Sequence, residues 1–153
     1  MEQVSGRAGR KDGRGIVMIQ VANTTHPVLQ FVQLHDYAAF YKHELEGRRH
    51  FFYPPFSRVI QLTFKHKLKE VTDEASMRFA QALKPDFAKY ISGPAEPVVN
   101  RIRNQYLSEI TLKLPKDQGL LNKCRHLVHE QIAQFHHDKR FKSVVVIIDV
   151  DPM

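Results

Sequence analysis

Two kinds of hydrophobic periodicity alternate between residues 58 and 152, and this alternation restricts the possible folds more than any other feature of the sequence. Residues 58–66 (RVIQLTFKH) and 106–114 (YLSEITLKL) place apolar side chains at every second position, which is typical of a strand with one buried face. Residues 72–84 and 119–135 instead show the spacing of amphipathic helices. Thr72 is the predicted N-cap of the first helix, and Pro85 is its predicted limit.

Two further extended segments complete the pattern. Residues 90–102 are interrupted by glycine and proline, and Asn104–Gln105 is predicted to turn a hairpin. Residues 142–152 (KSVVVIIDVDP) are almost entirely apolar up to Ile148, which predicts a central strand covered on at least one face. The order β-α-β-β-α-β predicts an α+β, ferredoxin-like domain, in which a four-stranded antiparallel sheet carries two helices on one face.

A second type of organisation precedes this domain. GIVMIQV (15–21) predicts a short buried strand, and NTTHP predicts a helix start with Thr24 or Thr25 near the cap. The apolar residues of 28–49 have helical spacing, with a break expected near His35–Asp36, and the prolines of FFYPPF end the helix. We therefore expect a first region at 1–50, a linker at 51–57 and a C-terminal α+β domain at 58–153.

The chain is basic, and its charge is unevenly distributed. It carries 23 Lys and Arg against 16 Asp and Glu, which gives a formal net charge of +7. The whole excess lies outside residues 16–57, which are neutral, and most of it falls within the predicted α+β domain. Such an excess favours a polyanionic partner, because phosphate neutralisation releases counterions. A basic protein without a nucleic-acid role is the open alternative.

The location of the protein is predicted from its single cysteine and from two missing signals. Cys124 cannot form an internal disulfide, and we find neither a secretory signal nor an apolar run of membrane-spanning length. A reducing, cytoplasmic location is therefore expected.

QVSGRAGR, at residues 3–10, combines residue types suited to a phosphate. Arg7 and Arg10 would share one helix face, Gly6 and Gly9 would permit close packing, and Gln3 would hold a water or a phosphate oxygen. A positioned guanidinium stabilises the charge of a γ-phosphate during transfer. From the residue types alone, a flexible basic arm is the favoured interpretation.

A resemblance to a known family supports the interpretation that this segment contacts a phosphate. QVSGRAGR resembles motif VI of superfamily-2 helicases, and the later segments narrow the comparison. In order along the chain these are HPVLQ, DYAAFYKHELEGRR, YPPFSR, GPAEP and DVDP. Together they resemble the primosomal protein N′ (PriA) family of bacterial replication-restart DNA helicases over essentially the whole chain. The resemblance implies an ATP-dependent 3′–5′ DNA helicase, a nucleotide-binding hydrolase that recognises stalled forks and assembles the primosome.

The same resemblance assigns roles within the motif. It implies that Arg7 and Arg10 are arginine fingers, that Gln3 is catalytic, and that Gly6 and Gly9 help the arginines to contact ATP. ATP and Mg²⁺ are then cofactors of the full-length enzyme. Zinc is also expected there, although this chain lacks its cysteine ligands and the Gly-rich phosphate loop. Residues 1–50 would be the tail of a RecA-like lobe, and the chain alone is expected to be inactive.

Basic residues on or beside the predicted strands are candidates for binding DNA or a partner protein. One face of the sheet is free of helices, and exposed cations there would meet phosphates. The family implies branched and single-stranded DNA, the acidic tail of the single-strand-binding protein and other primosome proteins as partners. The candidate residues are Lys65, Arg101, Arg103, Lys113, Lys116, Lys139 and Arg140.

Other residues are assigned to structure. His126 and His129 are expected on the surface, because a zinc site needs more ligands than they supply. Asp149 and Asp151 are expected to accept backbone N–H groups or to pair with an arginine, and Cys124 is expected in the core. A stand-alone ferredoxin-like module that binds RNA or a protein remains the alternative to the helicase reading.

Overall fold

The computed structural model describes residues 16–152, so the glycine- and arginine-rich motif at 3–10 lies outside the described residues. The chain divides into two compact units, one ending at Gly47 and one beginning at Arg48. Across residues 16–152, every helix is too short or too polar to cross a lipid bilayer.

Two helices precede the strands of the second unit. α1 spans Pro27–Gln33 and α2 spans Tyr37–His50, so the predicted break between them is confirmed. The N-cap is His26, which directly follows Thr25: its Nδ1 accepts a hydrogen bond from the Val28 N–H at 3.3 Å. Pro27 then occupies the first helical turn, where its missing N–H costs nothing.

The predicted strand at 15–21 does not form over its described residues, 16–21. Ile16 and Met18 are 87% and 92% exposed instead of buried. A strand is stabilised by ladder hydrogen bonds and cross-strand contacts, and no other segment of 16–152 pairs with this one. The apolar composition of the segment was therefore insufficient to predict its conformation.

The second unit has the predicted α+β, ferredoxin-like topology. All its strand pairs are antiparallel, in the order β2-β4-β1-β5, with β3 paired to β4 as a short addition. The elements are β1 (Arg58–His66), α3 (Lys69–Phe87), β2 (Ile91–Ala95), β3 (Arg101–Ile102), β4 (Gln105–Leu114), α4 (Gln118–His137) and β5 (Val145–Val150).

The position of β5 corrects one expectation. β5 was predicted to be central, but it is an edge strand that pairs only with β1. Val145 and Val150 are 49% and 55% exposed. An unbroken apolar run favours a central strand covered on at least one face, and here it belongs to a strand with one free edge.

The bounds of α3 correct a second expectation, which concerned where this helix begins and ends. The helix begins at Lys69, so Thr72 lies inside it, where its hydroxyl donates to the Leu68 carbonyl oxygen at 3.1 Å. Pro85 falls in the last turn and does not end the helix, which continues to Phe87. α4 follows the prediction closely, and the Asp117 carboxylate caps it by accepting from the Leu120 N–H at 2.7 Å.

The core lies between the sheet and the two helices α3 and α4. A chain of aromatic rings crosses it: Phe64 contacts Phe79, Phe79 contacts Phe135, and Phe135 stacks on Phe141, with centroid distances of 5.2, 5.6 and 5.0 Å. Cys124 is fully buried in the same cluster, as predicted, and burial raises the pKa of its thiol to about 11. The thiol is therefore a core group and not a nucleophile.

Candidate nucleic-acid interface

The seven candidate cations divide between the two ends of the sheet. We call the end formed by the close of β1, the β3–β4 turn and the start of β5 the hairpin end, and the opposite end the linker end. Lys65 pairs with Leu107 and Val145 in the register, which places it at the hairpin end. Lys113 pairs with Val59 at the linker end. The length of β1 separates the two ends by about 25 Å.

Three of the seven side chains lie on the strands and turn of the hairpin end. Lys65 is half-buried on the sheet face that carries no helix. Arg101 lies over the ring of Tyr106, with its Cζ 4.9 Å from the ring centroid, and its guanidinium donates to the Asn104 side chain. Arg103 is exposed at the turn.

The β3–β4 turn is tight and defined. Arg103 and Asn104 have φ values of 47° and 62°, so two consecutive residues occupy the left-handed region. This is the arrangement of a two-residue type I′ hairpin turn, whose twist matches that of the flanking strands. The turn was predicted one residue later, at Asn104–Gln105. Asn104 is suited to it, because asparagine tolerates a positive φ better than most residues.

Lys139 and Arg140 lie between α4 and β5, and therefore also at the hairpin end. Lys139 is exposed and makes no ion pair with the residues at 16–152. Arg140 pairs with Glu74 on α3, and its N–H donates to Asp138 Oδ1 at 2.9 Å. That backbone bond, with the Arg78 guanidinium at 2.9 Å, holds the pKa of Asp138 below its usual value.

Most acids at the hairpin end are already engaged. Lys69 pairs with both Asp73 and Glu96, and the bond from Lys69 is the main cause that lowers the pKa of Glu96. Six cations at the hairpin end make no ion pair with any described residue, and we call them the hairpin-end cation surface. They are Lys65, Lys67, Arg101, Arg103, Lys139 and Lys142. Glu70 and Glu109 are acids near them that likewise make no ion pair with a described residue, and Glu109 lies on the same sheet face as Lys65.

The two candidates at the linker end have different surroundings. The Lys113 ammonium donates to the Phe51 carbonyl oxygen at 3.3 Å and lies 3.6 Å above the Tyr53 ring. Both groups belong to the segment at 51–57, so Lys113 holds this segment against the sheet. Lys116 is exposed, and its charge helps to lower the pKa of Asp151.

The two carboxylates near the end of the chain differ from each other. Asp151 accepts from the Val59 N–H at 2.9 Å and from the Arg58 guanidinium. Burial opposes ionisation of this carboxyl, but those contacts outweigh it and lower its pKa. The structural role predicted for Asp151 is confirmed. Asp149 is exposed and pairs in register with Gln61. No group of three or more metal-ligating side chains occurs within residues 16–152.

A groove of about 440 Å³ separates α4 from the edge of the sheet at β1 and β5. Its apolar lining comes from both layers and includes Leu121, Val128 and Ile148. Arg125 and His129 contribute basic groups from exposed positions on α4. No sequence motif predicted this groove. The apolar run of β5 was the available signal, but it was interpreted as evidence of burial.

The fold and the cation surface define the class of the second unit, a ferredoxin-like α+β domain with one basic end. Comparison with family models then identifies the family. Residues 49–153 match the primosomal protein N C-terminal domain, which is more than half of the chain, and the chain belongs to this family.

Curated relatives match along the whole chain. The replication restart protein PriA of Bacillus subtilis (strain 168) is 31% identical over 99% of this chain and 19% of its own length. PriA of Treponema pallidum is 33% identical over 100% of this chain and 22% of its own length. For PriA of Synechocystis the identity is 34%, over 100% of this chain and 18% of its own length. The chain thus spans about a fifth of the length of these relatives.

Proposed function

We propose that this chain is the C-terminal portion of an ATP-dependent 3′–5′ DNA helicase that recognises stalled replication forks and restarts replication by primosome assembly. The hairpin-end cation surface is the observation that carries the DNA-binding part of the proposal. The similarity of the whole chain to much longer replication restart proteins favours this function over a stand-alone RNA- or protein-binding module. A DNA partner would place the protein with the bacterial chromosome in the cytoplasm.

The cation surface has the chemistry of a phosphate-binding site. Its side chains come from the end of β1 and the loop after it, from β3 and the β3–β4 turn, and from the connection between α4 and β5, so they converge from three separate places in the sequence. Lysine and arginine contacts to phosphate position DNA without reading its bases. A branched DNA offers phosphates in several directions at once, which suits cations that lie on several loops.

The ATP-dependent part of the proposal depends on the motif outside the described residues. Arg7 and Arg10 would stabilise charge on the transferred phosphate, with Gln3 orienting the attacking water and Gly6 and Gly9 allowing close approach. ATP and Mg²⁺ would be held together with other parts of the longer protein, which would also carry the zinc ligands. The chain alone would then neither bind ATP tightly nor hydrolyse it.

The groove beside β5 supports a second partner, the acidic tail of the single-strand-binding protein. Arg125 and His129 are suited to carboxylates, while Leu121, Val128 and Ile148 would receive an apolar side chain from the same peptide. The remaining primosome proteins would dock on surfaces that the cation surface and the groove leave free.

Removing charge from the cation surface tests the DNA-binding proposal. The variant Lys67→Gln/Lys139→Gln/Lys142→Gln removes three exposed cations that have no ion pair among residues 16–152. The slope of log K against log salt is negative, and each lost phosphate contact makes it less steep by about 0.9 on duplex DNA, so three lost contacts make it less steep by about 2.7. Fluorescence anisotropy with a forked oligonucleotide at several salt concentrations measures this slope.

The matched control removes the same charge at the linker end. Lys84, Lys89 and Lys116 are exposed, and their replacement by glutamine should leave the slope within error of wild type. Equal slopes for the two variants would contradict a binding surface at the hairpin end.

A further inference from the structure

The segment around the β3–β4 hairpin exposes aliphatic side chains among the cations. Val98 is 106% exposed, Val99 is 59% exposed and Ile102 is 46% exposed. Single exposed apolar residues are common on protein surfaces. Here three lie within five positions of one another, and the chain between them limits their separation to about 15 Å. We call these three exposed aliphatic side chains the hairpin tip.

The backbone that carries the hairpin tip is well supported. The Asn100 carbonyl accepts from the Leu107 N–H at 2.8 Å, and the Asn100 side chain donates to Glu96 at 3.0 Å. Glu96 in turn pairs with Lys69 at the start of α3. The segment is therefore tied both to β4 and to a helix. β-branched side chains have few rotamers, so little conformational entropy would be lost if the tip packed against a ligand.

Cations flank the tip along the chain and across the sheet. Arg103 follows Ile102 at the turn, and Arg101 precedes it but pairs with Tyr106 and lies over its ring, so Arg101 occupies the opposite face of the strand. In the register, Ile102 pairs with Gln105, and Lys65 pairs with Leu107, two residues further along β4. Ile102 and Lys65 therefore share the sheet face that carries no helix. An apolar centre with basic neighbours matches a ligand that has an apolar surface bordered by negative charge.

We propose that the hairpin tip packs against the terminal base pair of a DNA duplex at the point where its two strands separate. The face of such a base pair is apolar, and phosphates of the diverging strands lie around it. Apolar side chains that contact exposed or unstacked base steps are a general means of recognising distorted DNA. Arg101, Arg103 and Lys65 would bind the adjacent phosphates.

This inference rests on the proposed function, because it assigns the junction-specific contact within the same DNA-binding end. The cations would bind any DNA, whereas the tip would favour DNA with an exposed terminal base pair. A closed duplex would gain only the phosphate contacts. The preference for a fork over a closed duplex is therefore the quantity that the tip determines.

The experiment compares two probes of equal phosphate number. One is a fork with a duplex arm closed by a loop at its far end, and the other is a duplex closed by loops at both ends. Dissociation constants are measured by anisotropy for the full chain, wild type and Val98→Ser/Val99→Ser/Ile102→Ser. The variant should lose about fivefold or more in affinity for the fork through lost apolar contact, and should bind the closed duplex as wild type does.

Two control variants separate this contact from a change in fold. Ile102→Leu keeps an aliphatic side chain and should keep the fork preference. Met77→Gln removes an apolar side chain on α3 that is 48% exposed, and should also leave the preference unchanged. Thermal unfolding of each variant shows whether the domain remains folded.

The outcomes distinguish the inference from the proposed function. If the wild-type chain binds neither probe, the proposed DNA-binding function fails. If it binds both probes but the triple serine variant keeps the full fork preference, or loses affinity for both probes equally, only the hairpin-tip inference is overturned. If the variant keeps its DNA affinity and preference but loses binding to a primosome protein, the tip is a protein contact instead.

Discussion

DNA-stimulated ATP hydrolysis by the full-length protein should fall about 10³-fold or more when Arg7 or Arg10 is replaced by alanine. In the proposed enzyme, both guanidinium groups face the phosphate that is transferred. Alanine removes a permanent positive charge and its bidentate hydrogen bonds at the place where negative charge is redistributed. Steady-state measurement of phosphate release in the presence of single-stranded DNA tests this result.

The control variant changes Arg14, which lies four residues beyond the motif. Arg14→Ala removes the same charge from the same basic segment, but Arg14 does not match a position of the resembled motif. It should leave the turnover rate within about twofold of wild type, because the motif assigns the phosphate contacts to Arg7 and Arg10. Full activity in either Arg7→Ala or Arg10→Ala would contradict the assigned roles and favour the basic-arm reading.

The second large effect concerns the α+β domain. Phe79→Ala should reduce the free energy of unfolding by about 3–5 kcal/mol, which is the usual cost of removing a buried phenylalanine ring. Phe79 is fully buried and contacts both Phe64 and Phe135, so it joins β1, α3 and α4 through one side chain. Its loss leaves a cavity between all three elements. Urea unfolding followed by circular dichroism measures the change.

A neighbouring residue on the same helix gives the matched comparison. Met77→Ala removes a long side chain that is 48% exposed, and should change the unfolding free energy by no more than about 0.5 kcal/mol. If Phe79→Ala lowers the unfolding free energy by less than about 1 kcal/mol, the chain of aromatic rings does not hold the helices against the sheet.

The strands and helices of the α+β domain were predictable where one face of an element is buried. In β1, the alternation of Ile60, Leu62 and Phe64 identified the face that packs on the helices, because a strand with one covered face has a period of two. In α4, Asp117 and the apolar spacing from Leu120 defined the start of the helix. Local chemistry determines such features, and the sequence contains that information.

The predictions were wrong where the structure of a segment depends on contacts with residues that are distant in the sequence. β5 is apolar on both faces, and a single sequence does not state which strands will flank it. Residues 16–21 have strand-like composition but no pairing partner among residues 16–152. In the same way, the strand alternation placed Lys113 on the sheet face without helices, where an exposed cation was expected. Its ammonium group instead contacts Phe51 and Tyr53. The division of the cations between two ends of the sheet depends on strand register, which the turn prediction had placed one residue too late.

The most direct test of the proposed DNA-binding surface is a nuclear magnetic resonance titration of the ¹⁵N-labelled chain with forked DNA. We predict that amide signals of residues 65–67, 101–105 and 139–142 shift together and at the lowest DNA concentrations. Signals near Lys84, Lys89 and Lys116 should shift little. If the linker end responds first, or if no amide of the hairpin end moves at saturating DNA, the hairpin-end cation surface is not the DNA-binding site.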